Sequence, residues 1–230
     1  MLCPITKVTK ETPDTVTIRV TVDETFSFLP GQFMMITVSP QGQPVKRAFS
    51  IASSPLRKGY LEFCVKQTPD GLVSPYLQTV TVGRQLELTG PYGRFTFVEG
   101  VSDHLVLIGA GSGIAPLRAI TQYIDDRQLP IQTNLLYSNK KTADIIYHHE
   151  WEKWATTNDR HHLFLTLTNG DTGWRGRQGR FDQPYLQQII GDLEKPLYYL
   201  CGPLEFVRAM KEALLAGGAR KEWIKTEIYE

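Results

Sequence analysis

Over the first hundred residues, apolar and polar side chains alternate in short runs. Thr15–Val20, Phe33–Val38 and Tyr60–Val65 each read as a strand with period two, and Pro30-Gly31, Pro40-Gln41-Gly42 and Gly90-Pro91 supply turn signals between such runs. Short strands at this spacing predict a small antiparallel barrel or sandwich. After Gly100 the rhythm changes. Leu105–Ile108 is apolar without interruption, the pattern of a parallel strand covered on both faces. A helix is predicted from Pro116 to about Arg127, strands at Gln132–Tyr137 and Leu163–Thr168, and helices at Glu150–Ala155 and Gln183–Ile190. A strand at Leu197–Leu200 and a helix at Leu204–Ala216 complete the series. Alternating strand and helix predict an α/β doubly wound parallel sheet. The expected architecture is two domains: an antiparallel β-barrel over residues 1–98 and an α/β domain over 99–230, with the break near Val98–Asp103.

Composition narrows the class. Of the 230 residues, 41% are hydrophobic and 21% charged, as in ordinary globular proteins. A net charge of +1 leaves no basic excess for binding nucleic acid. The opening Met1-Leu2-Cys3-Pro4-Ile5-Thr6-Lys7 lacks the features of a secretory signal. The longest nearly apolar run, Leu105–Pro116, is too short and glycine-rich to span a bilayer. Cys3, Cys64 and Cys201 are too far apart for a disulfide framework or a clustered metal site, so no metal is expected and a reducing, cytoplasmic location fits.

Candidate chemistry gathers at two glycine turns. Gly109-Ala110-Gly111-Ser112-Gly113-Ile114-Ala115-Pro116 follows the apolar strand and opens a helix. Glycines there let a pyrophosphate approach backbone N–H groups, and the helix N-terminus adds orphan donors and partial positive charge. Pro116 suits a first helical turn. The spacing is not G-x-G-x-x-G, so a glycine-rich turn without a ligand stays open as the plainer reading. Cys201-Gly202-Pro203 ends a later strand and is expected to face the same crevice outside the carboxyl ends of the strands. Alone, Cys201 reads equally as a small buried hydrophobe.

Taken in order, Pro30–Phe33, Arg47–Ser53, Gly71–Ser74, Gly90–Phe95, Gly109–Pro116, Cys201–Pro203 and Glu227-Ile228-Tyr229 resemble the ferredoxin–NADP reductase superfamily, particularly its oxygenase-reductase and flavin-reductase branches. The resemblance covers nearly the whole chain. It implies a flavin-binding barrel followed by an NAD(P)-binding domain, with FAD (or FMN) as cofactor and NADH or NADPH as donor. By the same resemblance, Arg47 pairs with the flavin phosphate, which suits a guanidinium's bidentate donors, and Ser50 lies near the reactive ring nitrogen. Phe49 replaces the commoner tyrosine and loses its phenolic hydrogen bond. Cys64, Val65 and Lys66 resemble the strand whose backbone borders the flavin. Gly71, Val73 and Ser74 resemble a phosphate-holding element, with Ser74 a possible helix cap.

The resemblance further implies that Gly109, Gly111, Ser112, Gly113, Ile114, Pro116, Cys201, Gly202 and Pro203 hold the nucleotide. Ser50, Cys201, Glu227 and Tyr229 are then the candidate catalytic residues, Tyr229 as a ring stacked on the flavin; a solvated Glu227 stays open. Lys140 is a candidate for the ribose 2′ position, yet Asn169 stands where an NADPH-type arginine is expected, which leans towards NADH. The basic cluster Arg175, Arg177, Arg180 reads either as phosphate contacts or as a solvated loop. With no run of cysteines for an iron–sulfur domain, the acceptor is expected to be separate: a ferredoxin-like protein, an oxygenase component or free flavin. The alternatives are a flavin reductase using free flavin and a non-catalytic electron-transfer or sensing subunit.

Overall fold

The computed structural model describes residues 1–229, which cluster into two compact units. The first contains β1 (Leu2–Thr12), β2 (Thr15–Thr21), β3 (Phe33–Val38), β4 (Val45–Ser50), β5 (Tyr60–Lys66), α1 (Val73–Leu77) and β6 (Gln85–Tyr92). Its strands form one antiparallel sheet in the order β4-β3-β6-β1-β2-β5. A bridge between Ile51 and Phe63 joins the two outer strands and closes the barrel. Alternation along β3 turns Met34 and Ile36 into the core, where they meet Ile18, Leu61, Phe63 and Leu88.

β1, β4 and β6 were not assigned from the sequence. β4 in particular reads Val-Lys-Arg-Ala-Phe-Ser, mostly exposed and without regular alternation, as an outer strand allows. The expected cap is also corrected. Ser74 is the second residue of α1, whose N-cap is Leu72, and its Oγ accepts from the Thr68 N–H at 2.9 Å rather than from the helix.

The second unit contains β7 (His104–Ala110), the start of α2 (Ile114–Asp126), β8 (Gln132–Asn139), α3 (His148–Thr157), β9 (His161–Leu167), β10 (Arg177–Gln178), α4 (Gln183–Ile190), β11 (Leu197–Pro203), α5 (Leu204–Ala216) and β12 (Ile224–Tyr229). All its strands are parallel, in the order β10-β9-β8-β7-β11-β12. The chain starts at β7, runs outward to β10, and then returns to β11 on the other side of β7. The topological switch point therefore lies between β7 and β11. On one face Val106, Ile108, Leu136, Tyr198 and Leu200 pack with Leu186 of α4 and Val207, Met210 and Leu214 of α5. Residues of the opposite parity, Leu105, Leu107, Leu135 and Tyr199, are buried as well, which explains the uninterrupted apolar runs.

Arg118–Arg127 of α2 cluster with the first unit. Within that unit Glu62 accepts from Arg118 at 2.7 Å and from Arg19 at 2.8 and 3.0 Å, while Arg118 also donates to the Ala52 carbonyl at 2.9 Å. The Gln122 side chain accepts from the Ser54 N–H at 3.2 Å, Asp126 pairs with Arg57 at 3.0 Å, and Tyr123 meets Phe97 edge-on. Among the described residues, no helix is long and apolar enough to cross a membrane.

Candidate functional site

The switch point is built from two turns in backbone contact. Gly111 sits at φ +52°, a left-handed conformation suited to glycine, and nothing lies within 4 Å of where a Cβ would project. Gly113 has a different reason: it is buried, and a Cβ there would strike the Cys201 carbonyl. A Cβ on Gly109 would meet the Leu117 side chain at 2.9 Å, so this glycine serves helix–strand packing. The expectation that all three clear a path for pyrophosphate is thus corrected, for only Gly111 opens onto free space. The Ile114 N–H is engaged with the carbonyls of Gly111 and Ser112, and Pro116, third in α2, has no N–H to leave unpaired. Tyr137, overlooked in the sequence, donates from its hydroxyl to the Gly111 carbonyl at 2.9 Å and fixes the turn from below.

β11 and β12 run side by side in the registers Cys201–Glu227, Gly202–Ile228 and Pro203–Tyr229, which brings the cysteine motif and the C-terminal motif together. Cys201 is fully buried. Burial pushes its thiol well above the usual range and the Glu227 charge pushes it further, against a hydrogen bond with the Tyr229 side chain. It is a protonated thiol, unsuited to nucleophilic attack. Glu227 is half-buried, with Oε2 sealed from solvent and lacking a hydrogen-bond partner. Burial raises its carboxyl to about 7. The solvated-glutamate reading does not describe this group.

The loops beyond β8 and β9 are stitched together at the same sheet end. Asn169 N–H donates to the Lys140 carbonyl at 3.1 Å and Thr142 N–H to Asp171 at 2.9 Å, which leaves Lys140 exposed at the rim. Arg177 lies 3.9 Å over the Tyr185 ring and pairs with Asp182 at 3.1 Å, so it is engaged locally, whereas Arg175 and Arg180 are exposed.

In the barrel unit, Arg47 and Phe49 share one face of β4 and Ser50 takes the other. Phe49 packs against the barrel core, while Arg47 is exposed, donates to its neighbour Lys46's carbonyl at 2.8 Å, and has no carboxylate partner among the described residues. Ser50 is buried beside the Ile51–Phe63 bridge, where β4 approaches Cys64 and Val65 of β5. α1 packs on both strands, which gathers Val73 and Ser74 to the same end. Gly71 sits in the Thr68–Gly71 turn just before α1. The Val65 carbonyl accepts from Gln78 at 2.7 Å, and Lys66 reaches away to Asp14 at 2.9 Å, leaving only its backbone to border a ligand.

These residues fit the two groups implied by the sequence. The barrel offers a free guanidinium beside an aromatic ring and a buried hydroxyl, and the parallel sheet offers an open glycine cradle at its switch point beside a buried, unpartnered carboxyl oxygen.

Comparison with known proteins agrees. The oxidoreductase FAD-binding domain family matches residues 2–97 and the oxidoreductase NAD-binding domain family residues 107–212. A glycine betaine monooxygenase reductase subunit of Chromohalobacter salexigens is 30% identical over 218 residues, covering 92% of this chain. The chain spans only 59% of that relative's length. NADH-cytochrome b5 reductase 1 of Aspergillus terreus is 31% identical over 201 residues, covering 83% of this chain and 68% of the relative. The solved ferredoxin reductase of carbazole 1,9a-dioxygenase superposes with a TM-score of 0.87 at 28% identity, covering all of this chain and 69% of the other. The chain belongs to the ferredoxin reductase-type oxidoreductases, which join an FAD-binding to an NAD-binding domain.

Proposed function

We propose that the protein is an NAD(P)H-dependent flavoprotein reductase that transfers hydride from a nicotinamide dinucleotide to bound FAD and delivers electrons to a separate protein, an oxygenase component or ferredoxin-like carrier. The observation that carries this reading is the Cys201–Glu227–Tyr229 ladder seated against the glycine turn at the switch point. When bound, the flavin supplies the capacity to accept two electrons together and release them singly.

The chain's own residues bind, orient and hold protons. Arg47 anchors a phosphate through charge-assisted hydrogen bonds, and Phe49 offers a ring face for packing. Ser50 places a hydroxyl that can donate or accept at the ring edge. The turn at Gly111–Gly113 and the amino end of α2 receive the pyrophosphate, while Gly202 and Pro203 wall the opposite side. Cys201 supplies a neutral, polarisable surface for the nicotinamide. Glu227, held close to half-protonated at neutral pH, exchanges a proton at Oε1 or Oε2 as charge changes beside it. Tyr229 occupies the nicotinamide position until displaced.

Asn169 in place of an arginine and the NADH-dependent relative support a preference for NADH. A relative named as a monooxygenase reductase subunit supports a protein acceptor. An anaerobic titration with NADH and then NADPH, followed by flavin absorbance, tests the reading. Bleaching by NADH at lower concentration supports it; a flavin that neither nucleotide bleaches refutes it. A protein that purifies colourless yet reduces added flavin would favour the free-flavin reductase, the alternative for which Phe49 speaks.

A further inference from the structure

We infer that the parallel-sheet unit carries a second binding site, at the sheet end opposite the glycine turns, for a small zwitterion with an apolar flank, such as an apolar α-amino acid or a dipeptide of such residues. The loops entering β7, β8, β11 and β12 border an open cleft of about 570 Å³ there. Ligand pockets of ~300–1,000 Å³ take molecules of this class. The seven residues of β7 separate this end from the glycine turn by ~20 Å at ~3.3 Å per residue, so its occupant does not touch the nucleotide cradle.

The lining changes character in the order of the strands. Leu129 and Ile131, entering β8, are apolar; Asp103, entering β7, is acidic; Lys195, entering β11 and paired with Asp192 at 3.4 Å, and Arg220, entering β12, are basic. Arg220 is held in place for recognition. Its Nε donates to the Glu194 carbonyl at 3.1 Å and its guanidinium lies 3.7 Å over the Trp223 ring, which fixes the plane of the group. No carboxylate pairs with it among the described residues. A guanidinium fixed in this way is a bidentate receptor for a carboxylate. Asp103 is exposed and has no lysine or arginine partner among the described residues, so it suits an ammonium.

Charge selects the ligand type. A simple anion drawn to Arg220 and Lys195 would also meet Asp103 and, beside it, Glu99; a simple cation would meet the two basic groups. A zwitterion satisfies both, and buried Ile131 with Leu129 receives its apolar side chain.

Isothermal titration of the full chain with L-phenylalanine and with L-leucyl-L-leucine tests the assignment. N-acetylphenylalanine and phenylalaninamide, each lacking one charge, serve as comparison probes. Saturable binding of either zwitterion is expected, weaker by at least ~10-fold for each comparison probe. Arg220→Lys keeps the charge but loses the fork, and it should weaken the zwitterion by a similar factor while melting like the parent. Asp103→Asn should abolish the preference for phenylalanine over its N-acetyl form. The assignment is overturned if neither zwitterion saturates, if the charge-deleted probes bind equally well, or if Arg220→Lys and Asp103→Asn leave both affinities unchanged.

Discussion

Replacing Glu62 by glutamine probes the one buried charge cluster among the barrel-unit contacts described above. Glu62 and Arg118 are 7% and 8% exposed, and their closest N–O distance is 2.7 Å. Glu62 also takes two hydrogen bonds from Arg19, whose side chain is 34% exposed. At an effective dielectric of ~20, charges ~4 Å apart attract by ~4 kcal/mol, and removing one partner of a buried pair typically costs ~3–5 kcal/mol because the other charge stays buried and uncompensated. The Ala52 carbonyl still receives Arg118 in the variant, which places the expected loss for Glu62→Gln at the lower end, ~3 kcal/mol. Arg19→Ala removes a partly solvated arm and should cost less than ~1 kcal/mol beyond its stacking on Tyr60. In calorimetric melts at pH 7, Glu62→Gln should lower the melting temperature of the 230-residue chain by ~6–12 °C at ~2–4 °C per kcal/mol.

The acid limb supplies a second readout. Burial alone would raise the Glu62 carboxyl, but the charges and hydrogen bonds of Arg118 and then Arg19 outweigh it and hold it below the usual range. A depressed carboxyl contributes stability that is present above its unfolded value of ~4.5 and is lost as pH falls through the lower folded value. The parent should therefore lose stability below about pH 4.5 more steeply than Glu62→Gln. The double variant with Arg118→Met should cost less than the sum of the singles, since it leaves no unpaired buried charge. A Glu62→Gln melt within ~1 kcal/mol of the parent, with an unchanged acid limb, would refute the reasoning.

Arg47→Ala should weaken flavin binding by ~1.5–3 kcal/mol, or ~10–150-fold, seen as flavin lost in gel filtration; full retention would remove Arg47 from the phosphate site. Ser50→Ala should keep the colour and slow hydride transfer in stopped flow, and an undiminished rate would exclude it from the chemistry. Glu227, whose carboxyl is raised to about 7, binds a proton more tightly folded than unfolded, so stability should fall as pH rises from ~4.5 towards 7. Glu227→Gln should flatten that fall, and equal slopes by chemical denaturation would count against its burial. Gly113→Ala, which meets the Cys201 backbone, should destabilise by several kcal/mol, whereas Gly111→Ala should cost ~1 kcal/mol and chiefly weaken NADH binding; equal melting losses would show that the two glycines play one role.

The sheet-and-helix rhythm was legible because burial on both faces writes itself as an unbroken apolar run, as in Leu105–Ile108 and Leu197–Leu200. Outer strands leave weaker marks. β4 is largely exposed and β12 shows only a short alternation, so Arg47, Glu227 and Tyr229 could be found by motif but not placed on strands. The pairing of Cys201 with Glu227 depends on parallel register across positions 26 residues apart, which no local pattern encodes. Tyr137 lay hidden for another reason, since an aromatic inside an apolar run reads as core until its hydroxyl is seen reaching Gly111. Glu62 did leave a signal. A carboxylate between Leu61 and Phe63, both fully buried, demands a cation, and Arg118, a charge in the otherwise apolar Gly113–Ile120 stretch, is its complement. These complementary buried charges tie the Glu62 strand to the Arg118–Arg127 part of α2, which clusters with the barrel unit.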